Sequence, residues 1–200
     1  MHLDAPVAPV ALVALIRAIN VGGTGRLPMV ELRALCEQVG LVAPSTYIQT
    51  GNVIFSSPFG VADTKHRLES ALARRLGSEN HRVLLRTPDE LDAVVRANPF
   101  PDAAPSQVLI VFLDEAPSAE QARALANLVP PGREELLLSG RELFIHYPDG
   151  MGRSKLVVPL TVAGTGRNLN TVTKLAALAS AHAAARPWCR DRSASIRSQH

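Results

Sequence analysis

Three stretches of the chain break its apolar pattern with glycine, amide and basic residues, a combination suited to binding an anion. The first, residues 17–23 with the sequence RAINVGG, contributes Arg17, Asn20, Gly22 and Gly23. Glycines allow backbone N–H groups to turn toward a ligand, and the N-terminus of a following helix favours a negative charge. The stretch matches neither G-x-G-x-x-G nor the Gly-Lys-Ser/Thr end of a phosphate loop. On motif grounds alone, an ordinary strand-to-helix turn is therefore favoured.

The second stretch, residues 47–53 with the sequence YIQTGNV, is typical of the tip of a β-hairpin. Gly51 and Asn52 tolerate positive φ and favour a tight turn. Gln49 and Asn52 would display their amides at this tip, which makes Gln49, Gly51 and Asn52 candidate ligand-binding residues. Taken alone, turn chemistry explains the same residues.

The third stretch, residues 147–175, has the strongest functional pattern. It holds four basic residues against the single acid Asp149: Arg153, Lys155, Arg167 and Lys174. Arginine offers bidentate geometry to phosphate or carboxylate, and lysine supplies a mobile point charge. Ser154, Asn168 and Asn170 add short hydrogen-bonding groups, the last two at the predicted start of a helix. Helix capping with a solvated basic face is an equally good explanation.

Candidates for catalysis are few, and the sequence leaves open whether the protein is an enzyme. His146, Asp149 and Lys155 are the only side chains we nominate as a general base, while Ser154 beside Lys155 has no reason to face it. The catalytic residues are therefore unknown. We find no metal-ligand spacing and no cofactor motif, so we predict neither a metal nor a cofactor.

The hydrophobic spacing around these stretches predicts an α+β fold of tandem ferredoxin-like (βαββαβ) lobes with antiparallel sheets, plus a C-terminal helix. The first lobe is predicted from strands and helices at 10–19, 28–40, 46–49, 53–56, 61–76 and 82–86. The second follows from 108–113, 118–128, 134–138, 142–147 and 165–168, before a helix capped by Asn170 that runs to about 184. The predicted domains are residues 1–86, a helix and Pro-rich linker at 87–105, residues 106–184, and a flexible basic tail at 185–200.

The distribution of charge argues against a protein coated with nucleic acid. The net charge is +3, and four arginines against one aspartate after residue 185 account for all of it. Only eight aromatic residues, counted as one Trp, two Tyr and five Phe, are available for base stacking. No apolar run approaches the roughly 20 residues that span a bilayer. The start MHLD lacks the basic residues of a signal peptide, so we expect a cytoplasmic protein that binds no membrane.

The same stretches resemble a widespread bacterial family catalogued as domain of unknown function 1697. The resemblance rests on motifs in a fixed order: RAINVGG at 17–23, Pro28-Met29, Leu32-Arg33, YIQTGNV at 47–53, YPDGMGRSKL at 147–156 and TGRNLNTVTKL at 165–175. It implies two ferredoxin-like lobes in a bacterial cytosolic protein, and it implies no activity, substrate or catalytic residue.

This chain departs from the family pattern at several motif positions. Ala18 replaces a glycine, Thr50 a serine, Gly166 an alanine and Leu169 a tryptophan. The absence of an aromatic residue at Leu169 weakens a base-stacking role there. The stretch 157–164 is shorter than usual, which leaves open whether the second lobe keeps its last helix.

From these patterns we hypothesise that the three stretches converge in a cleft between the lobes and surround a phosphate-bearing or other anionic ligand. A nucleotide fits this description, and nucleic acid is not favoured. Two alternatives stay open: an enzyme acting on a small anionic metabolite, and an interaction module without a small ligand. The oligomeric state is not predicted.

Overall fold

The computed structural model describes residues 9–20 and 26–185, which form two compact units. Unit 1 takes the described residues of Met1–Pro88 and Ala177–His200, and unit 2 is Asp89–Ala176. Gly22, Gly23 and the predicted tail from residue 186 onward lie outside the described residues. Among the described residues, no helix is both long enough and apolar enough to cross a membrane.

Unit 1 has the predicted βαββαβ order, with its strands paired antiparallel in the order β2-β3-β1-β4. Its elements are β1 (Val10–Ile16), α1 (Met29–Gln38), β2 (Val42–Tyr47), β3 (Asn52–Ser57), α2 (Val61–Leu76) and β4 (Val83–Arg86). Alternate residues of β1 and β3 point toward the helices, where Leu12 and Phe55 meet Leu68 and Leu72 of α2 in the core. Strand β1 ends at Ile16 and not at residue 19 as predicted, because Ala18 and Asn20 take φ of 60° and 55° and turn the chain out of the sheet.

Unit 2 contains a second antiparallel sheet, in the order β6-β7-β5-β8. Helix α3 (Pro88–Arg96) precedes it, and its elements are β5 (Val108–Leu113), α4 (Ala119–Ala126), β6 (Glu135–Ser139), β7 (Glu142–His146) and β8 (Gly164–Asn168). Helix α4 begins with a capping box, in which Ser118 accepts from Gln121 N and the Gln121 side chain accepts from Ser118 N.

An extended segment takes the place of the second helix of the ferredoxin-like order in unit 2. Residues 154–163 contain no helix, and their odd-numbered members from 155 to 161 are exposed. Leu156, Val158 and Leu160 alternate with them and pack against the core of the β5–β7 region. Consecutive valines followed by Pro159 disfavour a helix and allow this period of two. The segment therefore covers the face of the sheet that a helix would otherwise cover.

Helix α5 (Leu169–Ala184) starts in unit 2, and its residues from Ala177 belong to unit 1. The predicted cap, Asn170, is wrong: Asn168 caps the helix, because its Oδ1 accepts from Thr171 N at 2.9 Å. In unit 1, His182 Nε2 lies 3.0 Å from Ser56 Oγ on β3. The α+β class, the two antiparallel sheets and the C-terminal helix are confirmed.

Candidate functional site

A hollow of about 280 Å³ opens in unit 2 where β7 ends. Three of the predicted site residues line it, namely Arg153, Ser154 and Lys155. The other residues around it come from the chain before β6 and the chain after β7: Pro131, Gly132, Glu134, Tyr147, Pro148, Asp149 and Gly150. We call this the unit 2 hollow.

The loop that forms one wall of this hollow is held by backbone hydrogen bonds. Tyr147 N donates to Gln107 O at 2.9 Å, and the Gln107 side chain donates to Pro148 O at 2.9 Å. Gly150 N donates to Tyr147 O at 3.0 Å, and a 3-10 turn, Met151–Arg153, follows. These bonds fix the direction in which the chain leaves the sheet, so the side chains after the turn are presented on an ordered loop.

Asp149, which lines the hollow, is paired with Arg133. The Arg133 Nε donates to Asp149 Oδ2 at 3.1 Å, and the Arg133 Nη2 donates to Oδ1. This hydrogen bonding and the positive charges of Arg133 and Arg153 lower the pKa of Asp149. The carboxylate of Asp149 is therefore ionised at neutral pH and already hydrogen-bonded to Arg133, which makes it a poor general base.

Glu134, the second carboxylate of the hollow, also has hydrogen-bond partners within the protein. It accepts from the Ser154 hydroxyl and, at 2.9 Å, from Gly132 N. The hydrogen bond from Ser154 is the main reason that the pKa of Glu134 is lowered. Ser154 Oγ in turn accepts from Leu156 N at 3.0 Å, so this serine holds the start of the extended segment.

Arg153 and Lys155 are the two basic residues that line the hollow. Both are exposed, and neither forms an ion pair with a carboxylate in the part of the chain that the structure describes. The side chains that line the hollow carry two positive charges, on Arg153 and Lys155, and two negative charges, on Asp149 and Glu134. Arg133, which is bonded to Asp149, adds a third positive charge beside the hollow. The hollow together with Arg133 therefore has a net positive charge, and it presents two exposed cationic groups to an incoming anion.

The remaining predicted residues of unit 2 lie around the end of β8. Leu109 of β5 pairs with Asn168 on one side, and Val108 pairs with His146 on the other. Because neighbouring strands lie about 4.8 Å apart, the start of α5 and the end of β7 share one end of the sheet, about 10 Å apart. Asn170 and Lys174 are exposed one turn apart on α5.

Arg167 is positioned differently from the other basic residues, because it is buried on β8. Its Nη1 donates to Thr165 Oγ1 and to Gly166 O, both at 2.8 Å. Burial lowers the pKa of Arg167 to about 10. These bonds hold its guanidinium against its own strand.

In unit 1 the predicted amides serve mainly to hold the backbone. Asn20 Nδ2 donates to Leu27 O at 2.8 Å and to Gln49 O at 3.0 Å, while its Oδ1 accepts from Leu27 N at 2.8 Å. Asn52 is fully buried and donates to Tyr47 O and Thr50 Oγ1, both at 3.1 Å. The structure therefore brings the first and second stretches together through Asn20.

Two predicted residues of unit 1 keep exposed side chains. Gln49 lines a second hollow of about 650 Å³ beside Arg26 and Met29. Arg17 is exposed, and its backbone N donates to Arg82 O at 2.9 Å. Gly51 is buried at the hairpin tip, where its carbonyl accepts from Ile16 N at 2.8 Å.

His146, one of the three nominated general bases, has structural partners, and the thiol of Cys36 is buried. His146 Nδ1 lies 3.3 Å from Glu135 Oε1, and the His146 ring packs on Phe100 with 5.4 Å between centroids. Burial of Cys36 raises the pKa of its thiol to about 12, which keeps the thiol protonated in the core. Within residues 9–20 and 26–185, no three His, Cys, Asp or Glu side chains cluster as metal ligands would.

Glu134, which lines the hollow, and Arg133, which is bonded to Asp149, are residues of this region that the sequence analysis missed. The signal was present in the β6–β7 hairpin, where Glu135 pairs with His146 and Ser139 with Glu142. Continuing this register places Glu134 opposite Tyr147 and Arg133 opposite Pro148. The basic residue Arg133 and the acidic residue Glu134, directly before β6, must therefore lie beside the loop that follows β7.

Comparisons with known proteins identify a family and a fold. The family model described as a protein of unknown function, DUF1697, matches residues 10–144, so the loop from Tyr147 onward lies beyond the matched part. The solved structure of the conserved bacterial protein SP0830 from Streptococcus pneumoniae is similar, with a TM-score of 0.72 and 23% identity, over 86% of this chain and 99% of that one. No curated protein matches this chain.

Proposed function

We propose that this chain, which belongs to the DUF1697 family of proteins of unknown function, binds a small phosphate-bearing or carboxylate-bearing molecule in the unit 2 hollow. The proposal rests on one observation: Arg153 and Lys155 are exposed beside two carboxylates that already have partners. An anion entering the hollow gains two cations without first breaking an ion pair that involves either of them. We place this activity in the bacterial cytosol.

The size of the hollow supports a small ligand. About 280 Å³ is close to the lower end of the range for small-molecule sites, roughly 300 Å³. Pro131 and Pro148 contribute apolar lining, and the two cationic residues of the lining are exposed. A phosphate or carboxylate attached to a few carbon atoms fits this space better than a dinucleotide.

Nucleic acid fits the described surface less well than a small anion. Phe55, Phe112 and Phe144 are fully buried on strands, and no aromatic side chain of the described residues is fully exposed. Recognition of single-stranded bases relies on exposed aromatic faces. The predicted convergence of this hollow with Arg17 and the unit 1 stretches stays a prediction.

We expect an R153Q/K155Q variant to lose about a hundredfold in affinity for the ligand. Each charged hydrogen bond to the anion contributes about 1.5 kcal/mol or more, and two are removed. A panel of phosphate, nucleoside monophosphates, sugar phosphates and dicarboxylates is screened by thermal shift, in which a compound at 100 times its Kd stabilises by about 2.7 kcal/mol. Calorimetry with the best compound then gives Kd for both proteins.

The matched control is R96Q/R123Q, which removes two exposed arginines of α3 and α4 in the same unit. This control is expected to keep its affinity within twofold at physiological salt, where distant charges are screened. An equal loss in the control would show a general charge effect. If no compound of the panel stabilises the wild type, the proposed site is wrong.

Replacing Asp149 with asparagine is expected to tighten anion binding about threefold to fivefold. Asp149 is ionised at neutral pH, so the change removes one negative charge from the wall of an exposed site, where repulsion of an anion is weakened by solvent but not abolished. Asparagine keeps an oxygen that accepts from Arg133. The comparison is E120Q, which removes an exposed acid from α4 and should leave Kd unchanged. A weaker complex with D149N would contradict a repulsive role for this carboxylate.

A further inference from the structure

The two most exposed large apolar side chains among the described residues each lie two positions along the chain from a residue that lines the unit 2 hollow. Val129 is 86% exposed and Val157 is 79% exposed. A third, Met151, is 58% exposed and lies on the loop directly after Gly150, which lines the hollow. Single exposed apolar residues are common on protein surfaces. Here three of them lie within two residues of the lining of one hollow that also presents two cations.

Val157 lies on the same side of the extended segment as Lys155. Successive side chains of an extended chain alternate between two faces, so residues two apart point the same way, about 6.6 Å from each other. Leu156 and Val158, which alternate with them, pack into the core of unit 2. The solvent face of the segment therefore presents the ammonium group of Lys155 and the isopropyl group of Val157 side by side.

Val129 is close to the hollow along a different piece of the chain. It lies two residues before Pro131, which lines the hollow, in the chain that joins α4 to β6. The extended segment is bonded at two points to the chain that runs from α4 to β6: Thr161 meets Gln121 in the first turn of α4, and Ser154 meets Glu134 directly before β6. The two pieces of chain therefore run in opposite directions, and Val129 and Val157 both lie between the two bonded points.

We infer that the ligand of this hollow is a small amphiphile, in which one phosphate or carboxylate is joined to an apolar chain. The anionic group binds Arg153 and Lys155, and the chain lies over Val157, Val129 and Met151. This inference rests on the proposed anion site and adds the class of molecule. The positive charge of the hollow is complementary to the anionic head group. The apolar chain of the ligand would exclude water from the three apolar side chains, and this burial stabilises the complex.

The test is a series of n-alkyl phosphates, from methyl to hexyl, titrated into the full-length protein by calorimetry at concentrations where they stay monomeric. Full burial of one methylene raises affinity about fourfold. On exposed side chains, where one side of the alkyl chain still faces water, we expect about twofold per methylene. The V129S/V157S variant should bind methyl phosphate as the wild type does and lose most of this increase.

V30S/V61S is the control, because it removes two exposed valines from unit 1, and it should leave the increase unchanged. If methyl phosphate binds but affinity does not rise with the length of the alkyl chain, the inference that the ligand is an amphiphile is wrong. The proposed anion site is then still supported. An increase that persists in V129S/V157S also overturns the inference, because these two valines are then not its cause. If no alkyl phosphate binds, or R153Q/K155Q binds them equally, the anion site itself is wrong.

Discussion

A G51A variant is expected to lose about 3 kcal/mol of its free energy of unfolding. Gly51 has a φ of +78°, where a residue with a Cβ is strained by about 1–2 kcal/mol. A Cβ at this position would also lie 2.8 Å from both Cγ1 and Cδ1 of Ile19 and 3.1 Å from Cβ of Ile16. Overpacking of this kind costs about 1–3 kcal/mol in addition.

The surroundings of Gly51 leave little room for relief. Ile19 is fully buried and Ile16 is 1% exposed, and both belong to the core of unit 1. The Gly51 carbonyl also accepts from Ile16 N at 2.8 Å, so moving the hairpin tip away from β1 would break this bond. The added methyl group must therefore displace core side chains.

The measurement is chemical denaturation of G51A beside G77A. Gly77 ends α2 with a φ of +67°, and no atom lies within 4 Å of a Cβ built there. G77A therefore reports the backbone strain alone, about 1 kcal/mol. The difference between the variants isolates the contacts with Ile16 and Ile19. Equal losses in both variants would contradict the tight packing of the hairpin on β1.

Elements whose signals lie within their own sequence were predictable. Helix α2 occupies the predicted residues 61–76, and β5 occupies 108–113, because each has a clear periodicity bounded by glycine, proline or polar residues. Helix α4 begins at Ala119, directly after Ser118, within the segment predicted at 118–128. A local pattern was enough wherever the packing of the rest of the chain agreed with it.

Boundaries set by single backbone conformations were not predictable. The apolar run of β1 continues to Ile19, and only the positive φ of Ala18 and Asn20 ends the strand earlier. At α5, Asn168 and Asn170 are equally good caps by residue type. Because Asn168 pairs with Leu109, it is the last residue of β8. It therefore directly precedes α5, where its side chain caps the helix.

The composition of the unit 2 hollow was predictable only in part. Arg153 and Lys155 lie in a stretch whose sequence has four basic residues and one acid, and neither forms an ion pair with a carboxylate among the described residues. Residue type alone could not show that Asp149 is occupied by Arg133, a residue 16 positions away. The same limit applies to Asn20 and Asn52, because an amide that binds a ligand and one that holds a backbone have the same sequence pattern.

An N20A variant is expected to lose about 2–3 kcal/mol of its free energy of unfolding. Three hydrogen bonds disappear, each worth about 1 kcal/mol net. They join the chain after β1 to Leu27 and to the hairpin at Gln49. Leu27 is fully buried, so its backbone N–H and C=O would lose partners beside the core. Alanine also tolerates the φ of 55° at this position less well than asparagine does.

Q49A is the matched control, because Gln49 is another amide of the same predicted set with an exposed side chain. Its stability should stay within about 0.5 kcal/mol of the wild type, as for most surface substitutions. Denaturation midpoints of both variants decide the roles of these amides. If N20A is as stable as the wild type, Asn20 does not hold the loop, and it is again a candidate ligand-binding residue. A loss confined to N20A assigns it to the framework that connects β1, the start of α1 and the hairpin, and leaves Gln49 as the amide free to meet a ligand.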